Sequence, residues 1–309
     1  MTNSYVVSVP ATTANIGPGF DCLGAALTRY NRFTFTPLAG AEPLQIIVTG
    51  AEHERVATDA SNLAYVAFSQ FFAHIHQPVP PVRLQIELGL PLARGLGSSS
   101  TAIVGGILGA NALADQVLST AELAQLATVI EGHPDNVVPA LLGGCRLATA
   151  NEAGDGTICE VPWQAAIIPI VAIPAFEIST AKARQVLPQH YSRADAVYTL
   201  GHLGLLMQAL ATGNGDWLAT ALGDRIHEPY RKTLIPGYEA VSQAARQAGA
   251  YGVTISGAGP TLLALGSPAQ AAAIAQAMAI TWQQQGIDVV DACPLEIDTT
   301  GATVTPVDV

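Results

Sequence analysis

Pro91-Leu92-Ala93-Arg94-Gly95-Leu96-Gly97-Ser98-Ser99-Ser100-Thr101 is the stretch on which the fold turns. It follows Val82, Leu84, Ile86 and Leu88, which alternate with polar residues as a half-buried strand does. It opens an apolar run that reads as a helix from Ser98 to about Ala114. Two glycines let the backbone approach a ligand closely, and three serines and a threonine place hydroxyls where the helix begins. Free amides and the positive end of the helix dipole make such a turn an anion site, here one suited to a triphosphate. A Walker A loop needs Gly-Lys-Ser/Thr, but the only lysines of the chain, Lys182 and Lys232, are far from this loop. The Rossmann GxGxxG is absent from it too. The plain alternative is a strand-to-helix turn with Ser98 as its cap.

Outward from this loop, the composition is that of a folded chain. Its 309 residues suggest about two domains; half are hydrophobic and 12% are charged, enough for a sizeable core. The net charge of −11, from 13 Lys and Arg against 24 Asp and Glu, leaves little room for the basic stripe that nucleic acid demands. Cys22, Cys145, Cys159 and Cys293 form no CxxC pair, so neither a zinc site nor a disulfide framework is expected. The opening Met1-Thr2-Asn3-Ser4 has no basic stretch followed by an apolar run, and no apolar run reaches the ~18 residues of a membrane span. A cytoplasmic protein acting on a small molecule, with no membrane or nucleic-acid partner, is the expectation.

Strands are expected at Tyr5–Val9, Arg32–Thr36, Cys145–Ala150 and Ile167–Ile173, around Gly257-Ala258-Gly259-Pro260, and near Val289. Helices are expected over 61–76, from the capping box Ser119-Thr120-Ala121-Glu122 to about Gly132, over 193–211 and 238–248, and over 268–285. The stretch from Gly154 to Pro162 reads as turn-rich, with a domain boundary near residue 165. This mixed order fits α+β layers better than a doubly wound sheet.

Val9-Pro10-Ala11-Thr12-Thr13-Ala14-Asn15-Ile16-Gly17-Pro18-Gly19-Phe20-Asp21 offers two polar groups among small residues. Alone, Asn15 reads as a turn residue and Asp21 as a helix N-cap. Together with the 91–101 loop and with Thr254-Ile255-Ser256-Gly257-Ala258-Gly259-Pro260-Thr261, the segment resembles the three signature motifs of the GHMP kinases, in the right order and spanning almost the whole chain. Ser100 departs from the alanine usual in the second motif. The resemblance implies an α+β GHMP kinase fold: an N-terminal ATP-binding, ribosomal protein S5 domain 2-like half over 1–165 and a C-terminal ferredoxin-like half over 166–309. Three further stretches resemble the branch of that family that phosphorylates homoserine: Glu131-Gly132-His133-Pro134-Asp135-Asn136, Ser179-Thr180-Ala181-Lys182-Ala183-Arg184, and Glu228-Pro229-Tyr230-Arg231. Mevalonate, shikimate and sugar kinases, or an inactive ligand-binding member, are the alternatives.

Homoserine is a zwitterion, so its ammonium asks for a carboxylate and its carboxylate for a planar donor fork. Asp21 can supply the first, and Arg184 and Arg231 the second, with Arg225 a rival for Arg231. By resemblance, Asn15, His133 and Asn136 complete the substrate site and Thr180 orients the reacting hydroxyl. ATP lies over Pro91 to Thr101 (Pro91, Leu92, Ala93, Arg94, Gly95, Leu96, Gly97, Ser98, Ser99, Ser100, Thr101) and faces Gly257 and Gly259. Asn62 either touches adenine or caps its helix. Mg²⁺ is assigned to Ser98 and Glu131, and Asp135 is the candidate base, without an adjacent lysine. A homodimer is the assembly the resemblance suggests.

Overall fold

A computed structural model describes residues 4–39, 42–150 and 156–307. Strand β1 (Ser4–Asn15) runs antiparallel to the long β2 (Gly19–Pro37). Then come β3 (Leu44–Gly50), helix α1 (Leu63–His74), β4 (Val82–Leu88), α2 (Ser98–Leu113), α3 (Thr120–Glu131), α4 (Pro134–Leu142), β5 (Cys145–Ala150) and β6 (Gly156–Val161). β4 lies between β2 and β3, and β5 joins β2 to β6; only the β3–β4 pair is parallel. The alternation that marks β4 turns Val82, Leu84 and Ile86 toward the helices. There they pack with Phe33, Phe35, Phe68, Phe71, Ile103 and Val137.

The chain enters a second sheet at β7 (Ile168–Pro174). Helices α5 (Thr180–Gln185), α6 (Arg193–Thr212), α7 (Gly215–Ala221), α8 (Glu228–Arg231) and α9 (Tyr238–Gln247) follow, then β8 (Gly252–Ile255), β9 (Leu262–Gly266), α10 (Ala271–Gln284) and β10 (Val289–Pro294). This sheet is antiparallel, in the order β10-β7-β9-β8, and α9 and α10 cover one face through Val241, Ala245, Ile274, Met278 and Trp282. Between the two sheets Leu23 and Leu27 meet Leu206, Leu210, Leu218, Leu263 and Leu265. The last strand, β11 (Thr303–Val307), returns to the first sheet and pairs with residues 4–8 of β1. No helix among the described residues is long and apolar enough to cross a membrane.

Most expected elements are present, and the differences have local causes. β1 does not stop at Val9. It passes through Pro10, where its register with β2 shifts, and a bulge tolerates the missing amide. β2 begins well before Arg32, because Leu23 to Leu27 lies between α4, which presses on Gly24, and the leucine cluster of the second sheet and α6, so both faces are buried and no alternation shows. Asp21 is therefore in a strand, with φ of 57°, and is not a helix N-cap. Sequence reading assigns no strand to Leu44–Gly50 and no helix to Pro134–Leu142, whose interior Pro139 argues against one. Residues 156–161 form β6 rather than turns, because pairing with β5 holds them extended; Gly154 and Asp155 lie outside the described residues, as do Met1, Thr2 and Asn3.

Helix α4 presses on β2 at Gly24, where a Cβ would come within 1.7 Å of the Asp135 carbonyl oxygen. Gly24→Ala must displace α4 and is expected to cost about 3 kcal/mol, the upper end for overpacking. Gly156→Ala meets nothing within 4 Å and is expected to stay within about 0.5 kcal/mol of the parent. Urea midpoints of the two variants check this; equal midpoints would contradict the packing.

Candidate active site

Ala93, Gly95 and Gly97 hold the second-motif loop with φ of 55°, 79° and 69°. A Cβ at Gly95 would lie 2.3 Å from the Ser256 carbonyl oxygen, so only glycine fits between the loop and the third motif. Gly97 occupies the cap position of α2 and Ser98 is its first helical residue, so Ser98 is not the cap. The loop is fastened on both sides. Thr12 N donates to Leu96 O (3.1 Å), Thr261 N donates to Arg94 O (3.3 Å), and Ser256 Oγ donates to Gly95 O (2.6 Å) while sharing a bond with Thr13 Oγ1 (2.9 Å). Gly257 N donates to Ala14 O (3.0 Å), which closes the third motif onto the first.

These segments surround a cavity of about 430 Å³. Leu92 to Gly95 and Gly97 to Ser99 line it, as do Gly257, Ala258 and Gly259. Pro91, Leu96, Ser100 and Thr101 stand behind the lining. The hydroxyls of Ser99 and Ser100 donate to Glu131 Oε1 at 2.9 and 3.1 Å, and that of Thr101 donates to Ser98 O at 2.8 Å. Ser98 Oγ has no bond to protein among the described residues, and both it and Glu131 face the cavity. One end of the cavity is apolar, with Val56, Leu63, Ile86, Leu88 and Ala102. Asn62 borders that end, but its Oδ1 accepts from Ala64 N (3.0 Å) and Tyr65 N (3.4 Å) and its Nδ2 donates to Ala57 O (2.7 Å), so its amide caps α1.

The opposite wall is charged. Asn15 Oδ1 accepts from Asp21 N (3.0 Å) and Asn15 Nδ2 donates to Gly257 O (2.8 Å), which fixes the first motif against the third. Arg184 of α5 donates to both oxygens of Asp21 at 2.9 Å. The two groups expected to hold opposite ends of a zwitterion therefore hold one another. Arg231 is 2% exposed. It donates to Ala183 O (3.2 Å) and Gly257 O (3.1 Å), lies over the Phe20 ring at 5.0 Å, and has no ion pair among the described residues. Burial and the neighbouring Arg184 push its pKa down. His133 Nδ1 bonds Asp135 Oδ1 at 2.6 Å, and that bond raises the imidazole pKa above its usual value. Asn136 Nδ2 donates to the same oxygen (3.3 Å) and Asn136 Oδ1 accepts from Thr12 Oγ1 (2.7 Å). Thr180, at the start of α5, also faces the cavity. Arg225 does not: it lies 3.6 Å from Asp195 and 4.0 Å over the Tyr198 ring, outside the lining. Neither lysine lines the cavity. The Cys22 thiol, raised to about 11 by burial with help from Asp135 and Asp21, stays protonated beside this wall.

Sequence reasoning missed the layer behind. Main-chain amides of Ile226, His227 and Glu228 converge on Asp224 at 2.7 to 2.9 Å. His227 Nε2 donates to Gly17 O (2.8 Å), and the Glu228 carboxylate accepts from Ile255 N (2.8 Å) and Thr254 Oγ1. This cluster carries the first-motif turn and the third motif together. Glu228 and Thr254 do stand in resembling stretches, but nothing in the sequence shows that they pair.

Burial pushes the Glu228 carboxyl up to about 7 and the His227 imidazole down to about 4. A carboxyl raised above its ordinary 4.5 contributes stability that is complete below 4.5 and lost as pH climbs through about 7. The depressed imidazole works the other way, losing stability as pH falls from 6.5 toward 4. Glu228→Gln keeps the acceptor oxygen and is expected to flatten the alkaline limb, the fall in stability between pH 4.5 and about 7, leaving in place the acid limb that the imidazole sets. Thermal unfolding across that range checks it, and an unchanged alkaline limb would assign the limb to other groups.

Known proteins resemble this chain over nearly its whole length. Residues 62–144 match the family pattern described as GHMP kinases N terminal domain, and residues 206–284 match GHMP kinases C terminal. A homoserine kinase of Trichormus variabilis is 59% identical over 303 residues, covering 98% of this chain and 99% of its own. One from a Synechococcus strain is 59% identical over 92% of each chain. The crystal structure of homoserine kinase from Cytophaga hutchinsonii superposes with a TM-score of 0.89 at 29% identity, covering 99% of this chain and 98% of its own. The chain thus belongs to the GHMP kinase family, in its homoserine kinase branch.

Proposed function

We propose that this protein transfers the terminal phosphoryl group of ATP to the hydroxyl of L-homoserine, giving O-phospho-L-homoserine and ADP, a step toward threonine. One observation carries the reading: a single cavity receives both the amides and hydroxyls of residues 95–99 and, opposite them, Asp21, Arg184 and the buried Arg231. Charges of both signs suit an amino acid, whereas galactose has no charge and mevalonate has no ammonium. The name borne by relatives at 59% identity supports the same substrate.

Phosphoryl transfer asks mainly for positioning and charge neutralisation. The apolar end around Val56, Leu63 and Ile86 would take the adenine, while Asn62 fixes the start of α1 beside it. Main-chain N–H groups from Gly95 to Ser99 would cradle the phosphates. A serine hydroxyl and a carboxylate are the hard oxygen donors that Mg²⁺ accepts alongside phosphate. Ser98 and Glu131 fit that role, and the bound ion would neutralise charge on the β- and γ-oxygens. Asp21 would turn to the substrate ammonium, and Arg184 and Arg231 to its carboxylate. Arg231, rather than Arg225, takes the second place because it alone of the two faces the cavity. Asn15, His133 and Asn136 would hold the remaining contacts, with Thr180 directing the hydroxyl. The hydroxyl oxygen bonds to the γ-phosphorus as the bond to the ADP oxygen breaks. Asp135 accepts the proton, and His133, in place of a lysine, is the group bonded to it, with a pKa raised by that bond.

Asp21→Asn is expected to raise KM for L-homoserine about tenfold or more while kcat changes far less. Coupled ADP release measures both, with mevalonate and galactose as unreactive comparisons. A fall in kcat at constant KM would remove Asp21 from the ammonium site. Glu131→Ala is expected to raise the Mg²⁺ concentration for half-maximal rate by roughly tenfold, the scale of a lost metal contact; an unaltered metal titration would take Glu131 out of that role.

A further inference from the structure

Arg94 belongs to the phosphate loop, yet its guanidinium is spent on the protein. It is 6% exposed. Nη1 donates to Leu92 O and reaches Glu52 Oε1, both at 2.8 Å; Nη2 donates to Ala175 O (2.9 Å), and Nε to Pro174 O (3.2 Å). Nη2 also lies 3.5 Å from Glu177 Oε1. Arg55 faces the same two carboxylates from outside: it is bidentate on Glu177 (2.5 and 2.8 Å) and 3.4 Å from Glu52 Oε2. Glu52 Oε2 in turn accepts from Leu92 N at 2.9 Å. Two guanidinium groups and two carboxylates thus alternate in a closed ring. It joins the segment after β3, the phosphate loop and the segment after β7. Glu52, Arg55 and Glu177 do not line the cavity, so none of them touches a ligand there.

The third of these segments leads straight to the acceptor wall. Glu177 precedes Ser179, the cap of α5, and α5 carries Thr180 and Arg184. This six-residue helix buries only Ala183, with Ile178 buried just ahead of it, so polar tethers supplement a small apolar anchor. They are the ring at its front, Arg231 on Ala183 O, and Arg184 on Asp21. A zwitterion that takes Asp21 and Arg184 for itself removes the third tether. The ring then becomes the main link between α5 and the phosphate loop.

We propose that this ring, built from Glu52, Arg55, Arg94 and Glu177, couples the nucleotide site to the amino-acid site. Phosphates seated in the loop fix the Arg94 backbone, and Glu177 transmits that order to α5, so each ligand tightens the binding of the other. Thermodynamic linkage makes the effect equal in both directions. Glu177 and Arg55 are positioning residues in this scheme. The proposal rests on the reading of the cavity as a joint nucleotide and homoserine site.

Isothermal titration of the full chain with L-homoserine, with and without a saturating non-hydrolysable ATP analogue and Mg²⁺, tests it. Wild type is expected to bind homoserine about tenfold tighter when the analogue is present, within the usual range of such couplings. Glu177→Gln and Arg55→Met, both at partly exposed positions, are expected to cut that factor below about threefold with the analogue's own affinity nearly unchanged; Arg55→Lys, which keeps the charge, should restore part of it. An equal factor in wild type and both variants would overturn the coupling. So would weakening of homoserine by the same ratio with and without nucleotide, the mark of a merely structural role. Homoserine that fails to bind wild type in either state would instead sink the assignment of the cavity, and the ring's role with it.

Discussion

A phosphate loop without a lysine must grip with its main chain, and a main chain grips only if something else holds it still. Here the fastening comes from both flanks. Thr12 reaches Leu96 from one side, and Ser256 and Thr261 reach Gly95 and Arg94 from the other. The clearance at Gly95 is set by a carbonyl of the third motif, 161 residues away along the chain. These bonds restrain the loop without freezing it, so that amides serving as an anion receptor would need only limited further ordering when phosphates arrive.

The charges around the cavity obey a similar economy. Asp21 is paired with Arg184, Asp135 is bonded to His133, whose pKa that bond raises, and Glu131 accepts two serine hydroxyls. Arg231 is the exception, a buried guanidinium resting on two carbonyls and an aromatic face. A buried cation without a counterion is costly, and an incoming carboxylate relieves that cost. The lack of an ion-pair partner for Arg231 among the described residues therefore favours an anionic end group more strongly than an exposed arginine would.

Much of this was legible in the sequence because the information is local. The period of Val82 to Leu88, the capping box at Ser119, and the glycines and hydroxyls of 95–101 each speak for themselves within about ten residues. What stayed hidden depends on distant partners. The bulge that admits Pro10 needs β2, and the two-sided burial of Leu23 to Leu27 needs α4 and the second sheet. At the site, sequence reading named most of the residues that the fold gathers round the cavity, yet it could not tell those that face a ligand from those that hold the wall. Arg94 is spent on Glu52 and three carbonyls, and Asn62 is spent on a cap. Glu228 and Thr254 each stand in a resembling stretch, but they meet only through tertiary structure, and no spacing announces that contact.

The position of β11 has a consequence for how the protein is made. Its residues 303–307 pair with residues 4–8, so β1 is joined by a strand that is made only after every strand of the second sheet. Until β11 emerges, that side of β1 presents unpaired amides and carbonyls, the kind of border at which nascent chains associate wrongly. Vectorial folding therefore cannot complete the first sheet before the second has been made. Emergence of β11, rather than of the first half alone, is the event that completes the first sheet.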